Sequence, residues 1–331
     1  MKIWVLMPDN EIRRMFFPEE VASFLESQGE VTWNPTREHY GISELREKLP
    51  QFDAIVTGWG CARIGAEVLG EKAPSLLLHT GGTVAPFVDK ATFEKGVRVS
   101  CANEIYARSV AEGTLAYMLA GLRRITYWDS VVKKGSWRGT YPGNSGLYEK
   151  KVGLTGYGAI TRYLLPLLKV FDTKIYLCSS HMTEEEAKGL GVYKADLDFI
   201  FSSCDVVSLH NALTVKTKGM IGARLLSMLK EGAVFVNTAR GQLIDESALA
   251  KVLAEKNITA VLDVYEKEPL DANSPLLKLE NAILMPHVAG PTADRYPSAG
   301  RHAALEIERF IAGLPLETEV QASSVEFMTN L

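Results

Sequence analysis

Cysteine is scarce: Cys61, Cys101, Cys178 and Cys204 stand far apart, with no CxxC pair. That excludes a disulfide scaffold and a cysteine-built zinc site, and it fits a reducing compartment. No cluster of ligand residues has metal spacing, so no metal is expected. Glycine and proline number 27 and 14 of 331, too few for a low-complexity chain. A charge surplus is also missing, since 36 basic residues face 40 acidic ones for a net charge of -4. A nucleic-acid binder needs a basic surplus or stripe, so no nucleic-acid partner is expected. No apolar run reaches the ~18 residues of a membrane span. The opening MKIWVLMPDN loses its apolar character at Pro8-Asp9, which reads as a first strand and not a signal peptide. These absences predict a cytoplasmic protein without a membrane partner.

What is present is ample apolar material. Hydrophobic residues make up 47% of the chain, enough to build cores without staples. At 331 residues the chain is twice the length of a typical domain, about 150 residues, which predicts two. Short Val-, Ile- and Leu-rich runs recur at 3–7, 30–33, 54–57, 76–79 and 97–100, then at 152–155, 174–178, 206–210, 233–237, 259–264 and 283–285. Helical stretches lie between them, among them 18–27, 43–49, 247–256 and 302–312. Apolar runs without polar alternation, separated by helices, predict parallel strands covered on both faces. The fold class is α/β, doubly wound. Residues 107–134 contain no proline and read as one long helix, the kind that bridges domains. Residues 135–146 (GSWRGTYPGNSG) read as a surface loop, and Glu184-Glu185-Glu186 as a helix start.

The segment KVGLTGYGAITRYLL carries a strand, then Gly156-Tyr157-Gly158, then a helix. Such a turn suits a dinucleotide. The first glycine allows the bend, the second lets backbone approach a pyrophosphate, and the helix start offers N–H groups and positive potential. Thr161 stands where GxGxxG has its third glycine. Pro166, within the following helix, predicts a bend. The next strand ends in Cys178-Ser179-Ser180-His181, with no acid to hold a ribose 2′-hydroxyl. Either cofactor, NAD or NADP, fits this turn, and Ser179 and Ser180 tilt the reading toward NADP.

Three polar residues follow strands in the second half: Arg240 in NTARGQLIDE, Glu268 in DVYEKEPL and His287 in MPHVAG. In an open α/β sheet that edge binds ligands. A cation, a carboxylate and an imidazole there can hold a carboxylate substrate and move a proton. The ordered runs SLHNALTVKTKGMI, LKEGAVFVNTARGQLIDESAL and AVLDVYEKEPLDANSPLLKLENAILMPHVAG resemble the D-isomer-specific 2-hydroxyacid dehydrogenase family. Upstream, HTGGTVAPFVDKATFEKGVRV resembles the family's substrate loop and ARSVAEGTLAYMLAGLRR its interdomain helix.

The resemblance implies two doubly wound parallel-sheet domains, Rossmann-like and flavodoxin-like. Residues 1–100 with 291–331 would form the substrate domain, 101–290 an inserted dinucleotide-binding domain, with an active-site cleft between them. It implies reversible NAD(P)H-dependent reduction of a 2-keto acid to a D-2-hydroxy acid by a homodimer. Glyoxylate or hydroxypyruvate suits a modest pocket, and aromatic or branched acids stay open. By resemblance His287 is the general acid, Glu268 holds its ring, and Arg240 binds the substrate's carboxylate and carbonyl. Thr80, Gly81 and Gly82 would offer backbone N–H groups to that carboxylate. Gly156, Gly158, Ala159, Ile160, Ser179, Ser180, Asn211, Thr217 and Thr238 would line the cofactor, with Asp263 facing the nicotinamide.

Alternatives stand beside these roles. Glu266 is a second acid near Glu268, and His210, also past a strand, rivals His287. His79 ends the substrate-loop strand; His39, His181 and His302 read as surface residues, and Asp245 as a helix cap. Trp59, Trp137 and Tyr296 are candidates for shaping a pocket. Departures from the family pattern are Ala212 where proline is usual, Asn103-Glu104-Ile105-Tyr106 before the long helix, and GGTVAPF in the substrate loop. Two other functions remain open. One is a dehydrogenase of another small acid such as formate, against which Glu268 argues, because glutamine holds that place in the formate enzyme. The other is a non-enzymatic dinucleotide-sensing regulator.

Overall fold

The computed structural model describes residues 1–138 and 143–329. The chain divides into two compact units, Met1–Ala107 with Pro291–Leu331, and Arg108–Gly290. The division falls inside the helix Asn103–Arg123, a few residues past the 100/101 boundary expected from sequence.

The first unit holds strands β1 (Lys2–Val5), β2 (Glu30–Trp33), β3 (Ala54–Thr57), β4 (Leu76–His79) and β5 (Arg98–Cys101). They form one parallel sheet in the order β2-β1-β3-β4-β5. Successive side chains point to opposite faces, so Ile3 and Val5 join one core while Trp4 joins the other. Both faces are covered, and β3 and β4 are buried at every position. The helix Tyr296–Ile311 covers the first face with a small-residue stripe of Ala299, Gly300, Ala303 and Ala304. A Cβ on Gly300 would lie 2.0 Å from the Phe16 carbonyl oxygen, so only glycine fits that approach. The same helix buries Glu306, whose carboxylate accepts from Ser100 Oγ (2.8 Å) and the Glu317 N–H (2.9 Å). His302 is correspondingly not a surface residue: its Nε2 lies 2.7 Å from Thr318 Oγ1, beside this network.

The second unit holds β6 (Lys151–Thr155), β7 (Lys174–Cys178), β8 (Tyr193–Lys194), β9 (Val206–Leu209), β10 (Val234–Asn237), β11 (Thr259–Leu262) and β12 (Ala282–Leu284). Their order is β12-β11-β10-β9-β6-β7-β8, again parallel throughout. This is the doubly wound dinucleotide-binding order, and the direction of winding reverses between β6 and β9. Strand β8 has only two residues, both exposed, and no sequence pattern announces it.

The long helix expected over 107–134 is two helices, Asn103–Arg123 and Ile125–Lys133. Between them Arg124 takes φ 53 with its guanidinium 4.3 Å from the Tyr127 ring centre. Gly121 lies close against Val234 and Val261, and backbone bonds close the turn beyond it. Arg124 N–H donates to the Gly121 carbonyl, and Ser145 N–H to that of Leu122. The second helix ends at Gly135 (φ 75), where the N–H groups of Gly135 and Ser136 reach back to Val132 and Val131. Residues 139–142 of the expected loop lie outside the described residues. Pro166 stays within the helix Ala159–Lys169. Among the described residues no helix is long and apolar enough to cross a membrane.

Two histidines are buried at strand ends, His79 after β4's leucines and His210 just past β9. Burial pushes the His79 imidazole down to about 3 and that of His210 to about 4. Unfolded histidine titrates near 6.5, so below that pH the unfolded chain binds protons that the folded chain refuses. Their contribution is complete above about pH 6.5 and is lost as pH falls toward 4. Urea unfolding should lose a few kcal/mol of stability between pH 7 and 4.5. Replacing His210 by Gln should flatten that slope; an unchanged slope in the variant would place the loss elsewhere.

Candidate active site

Parallel pairing brings the ends of β6, β7, β9, β10, β11 and β12 to one edge of the seven-stranded sheet. Gly156 follows β6 at φ 85, and its N–H donates to the Cys178 carbonyl at the end of β7 (2.8 Å). A Cβ on Gly156 would stand 2.8 Å from the His210 carbonyl oxygen, across the reversal between β6 and β9. Thr161 takes the third glycine's place without harm: buried, its hydroxyl donates to the Gly156 carbonyl at 2.8 Å and ties the turn to the helix. Gly158 is the N-cap of the helix that carries Ala159 and Ile160; no side chain caps that helix, and a Cβ on Gly158 would meet nothing within 4 Å.

Three buried polar atoms at this reversal have no hydrogen-bond partner: Thr155 Oγ1, His210 Nδ1 and Asn211 Oδ1. Native proteins seldom leave such atoms orphaned. An open helix start flanked by unmet donors and acceptors fits a bound dinucleotide. Ser179 and Ser180 continue from β7 beside the glycine turn, because Thr155 and Cys178 are register partners. Two other residues named from sequence are committed locally. Thr217 Oγ1 donates to the Ala212 carbonyl and closes its own loop, while Thr238 Oγ1 pairs with Thr114 Oγ1 at 2.9 Å.

Arg240 sits on a turn built by buried Asn237, whose amide accepts from the Ala239 N–H (3.1 Å) and donates to the Arg240 carbonyl (3.0 Å). Its Nη1 donates to the Ala239 carbonyl. Gly241 permits the turn, since a Cβ there would overlap the Tyr265 backbone at 1.8 Å. Desolvation lowers the Arg240 pKa from its ordinary value, and the negative charge of Glu268 opposes that shift. Guanidinium keeps its charge at any ordinary pH, so a cation is held in a largely dry setting.

Glu268 Oε2 lies 2.7 Å from His287 Nδ1, and Glu268 Oε1 accepts from the Tyr265 N–H at 3.2 Å. The side chains are 37% and 48% exposed, which keeps the pair open to a ligand. With Nδ1 on the carboxylate, Nε2 is the ring atom that can exchange a proton outward. Glu266 is not the partner: its carboxylate accepts from the Glu246 N–H, and its own N–H donates to the Glu246 carboxylate (both 3.1 Å). His210 differs in kind: its Nε2 is 3.0 Å from Ser208 Oγ and its ring is buried and neutral.

Asp263 is buried, and its carboxylate accepts from the N–H groups of Val288 and Ala289 (both 2.9 Å) and from Tyr117 Oη (3.1 Å). Those bonds fix the two residues after His287, whose own backbone is left-handed at φ 56. Tyr265 Oη adds a bond to the Met285 carbonyl at 2.9 Å, joining the turns after β11 and β12. Tyr117 has no sequence signal of its own, being one more aromatic on an amphipathic helix.

In the first unit the substrate-loop expectation is corrected at one residue. The Thr80 N–H donates to the Thr57 carbonyl at 3.0 Å, because the β3–β4 ladder runs one residue beyond the strand. Thr80 therefore has no N–H to offer a ligand, and the loop's candidates reduce to Gly81 and Gly82. His79 stacks on Phe87 with Nδ1 2.9 Å from Thr57 Oγ1. Trp137 is 73% exposed and outside every ring contact described for the candidate residues.

Residues 115–289 match the family described as D-isomer specific 2-hydroxyacid dehydrogenase, NAD binding domain. The chain is 31% identical over 313 residues to the D-3-phosphoglycerate dehydrogenase of Archaeoglobus fulgidus, covering 93% of this chain and 58% of that protein. It thus spans just over half the length of such relatives. To the glyoxylate reductase of Thermococcus litoralis it is 32% identical over 280 residues, covering 81% and 83% of the two chains. A crystal structure of a Pyrococcus horikoshii protein matches with TM-score 0.80 and 26% identity over 98% of this chain and 96% of that one. A glyoxylate reductase from Paecilomyes thermophila shares the fold, with TM-score 0.80 at 24% identity over 98% and 99% of the two chains. Motif order, sheet topology and sequence similarity agree: this chain belongs to the D-isomer specific 2-hydroxyacid dehydrogenase family.

Proposed function

We propose that this chain reduces a 2-keto acid to the D-2-hydroxy acid with a nicotinamide dinucleotide as reductant. The observation that carries the reading is the Glu268–His287 pair, 2.7 Å apart, on the sheet edge that also bears Arg240 and the glycine turn. Reducing a ketone takes a hydride and a proton. The nicotinamide, when bound, supplies the hydride. His287 Nε2 delivers the proton to the carbonyl oxygen, and in reverse it accepts the proton from the alcohol. Glu268 steadies the ring through its Nδ1 and leaves Nε2 facing the substrate. Arg240 binds the substrate carboxylate and offsets the charge that develops on the oxygen. Gly156, Gly158 and the N–H groups of the following helix start cradle the pyrophosphate. Gly81 and Gly82 are the proposed backbone donors for the substrate carboxylate.

Formate oxidation has no alkoxide to protonate, so it gives the carboxylate–imidazole pair no task. For the reductant we favour NADPH. Ser179 and Ser180 after β7 offer hydroxyls to a 2′-phosphate, and no carboxylate occupies residues 178–181 to take a ribose hydroxyl.

Loss of nicotinamide absorbance with a panel of 2-keto acids tests the activity. His287→Gln should lower turnover by about 100-fold or more, with cofactor binding retained. Undiminished turnover would remove His287 from the proton step, and cofactor binding without turnover of any acid would favour a sensor. Ser179→Asp should move the NADPH/NADH preference toward NADH by placing a negative charge beside the 2′-phosphate. An unmoved ratio would put the adenosine ribose elsewhere.

A further inference from the structure

The first unit has a ligand edge of its own. Its strand order reverses between β1 and β3, and open α/β sheets bind ligands past the carboxyl ends of strands at such a reversal. Trp59 follows β3, and the Thr80-Gly81-Gly82 turn follows β4. Over that turn stand aromatic rings. Trp59 meets Tyr106 edge to face at 6.1 Å and 87°, and Tyr296 at 6.0 Å and 89°. Phe16 backs the group, 5.4 Å from Trp59 and 5.1 Å from Tyr296. Both glycines pack closely here. A Cβ on Gly81 would lie 2.4 Å from His79 Nε2 and 3.1 Å from Trp59 Nε1, and one on Gly82 would lie 3.3 Å from Tyr106 Cγ.

One feature of the cluster points to a ligand: Trp59 is 43% exposed although three rings support it. We propose that Trp59, Tyr106 and Tyr296 form the specificity wall for the substrate's side chain, and that it selects 2-keto acids with an uncharged apolar or aromatic side chain. The inference rests on the keto-acid reading of the Gly81-Gly82 turn. Rings gain by burying apolar surface, and the negative potential of their faces repels a phosphate, which calls instead for Arg, Lys or a helix start. A side chain as small as that of glyoxylate leaves the indole uncovered.

The test compares kcat/KM for glyoxylate, 4-methyl-2-oxopentanoate, phenylpyruvate and 3-phosphohydroxypyruvate, using the full chain with its preferred cofactor. The branched and aromatic acids should exceed glyoxylate by about tenfold or more, with the phosphorylated acid last. In Trp59→Ala the phenylpyruvate-to-glyoxylate ratio should fall about tenfold, chiefly through KM, and Trp59→Phe should recover most of it. A leading phosphorylated acid, a leading glyoxylate, or a ratio that Trp59→Ala does not move would overturn the inference while leaving the reductase standing. No turnover of any of the four acids would reject the reductase reading and this inference with it.

Discussion

Parallel pairing is the constraint on which everything else depends. When every strand of a sheet runs the same way, all the carboxyl ends fall on one edge and the residues after them become neighbours. The glycine turn, Arg240, Glu268 and His287 are spread over more than a hundred residues, yet each follows a strand of the same sheet. Their meeting needs no special loop, only the register that pairs Asn237 with Leu262 and Leu262 with Leu284. The cores on both faces, built from runs with no polar interruption, are what hold that register.

The finer geometry rests on buried hydrogen bonds that belong to the turns. Asn237 shapes the turn of Arg240, Tyr265 joins the turns after β11 and β12, and Asp263 holds the backbone behind His287. A bond to a buried carboxylate is stronger than a neutral one, and breaking it strands a charge. The exposed, exchangeable Glu268–His287 pair therefore stands on a closed polar frame. Function needs the pair open to a ligand, and the frame keeps the opening from costing alignment.

Much of this was legible in the sequence. Apolar runs and their spacing gave eleven of the twelve strands among the described residues to within a residue or two, because burial on both faces leaves an unambiguous pattern. Arg240, Glu268 and His287 could be read because each lies just past such a run. What escaped has physical reasons. The two-residue β8 has no apolar signature, and the break at Arg124 has no proline or glycine to mark it. His302 looked like surface because its partner Thr318 lies in the tail beyond its helix. Thr80 looked like a donor because strand pairing that runs on past β4 cannot be seen locally. Tyr117 and Tyr106 gain their meaning only from the residues that folding sets beside them.

The central claim is that hydride and proton reach a keto acid at this edge of the sheet. The direct measurement uses nicotinamide dinucleotide deuterated at ring carbon 4 and the 2-keto acid, of chiral product, that is turned over fastest. The account predicts a D-2-hydroxy acid carrying one deuterium at carbon 2, formed about 100-fold or more slowly by the His287→Gln chain. An L product, or a product with solvent hydrogen at carbon 2 when each face of the nicotinamide is labelled in turn, would contradict it.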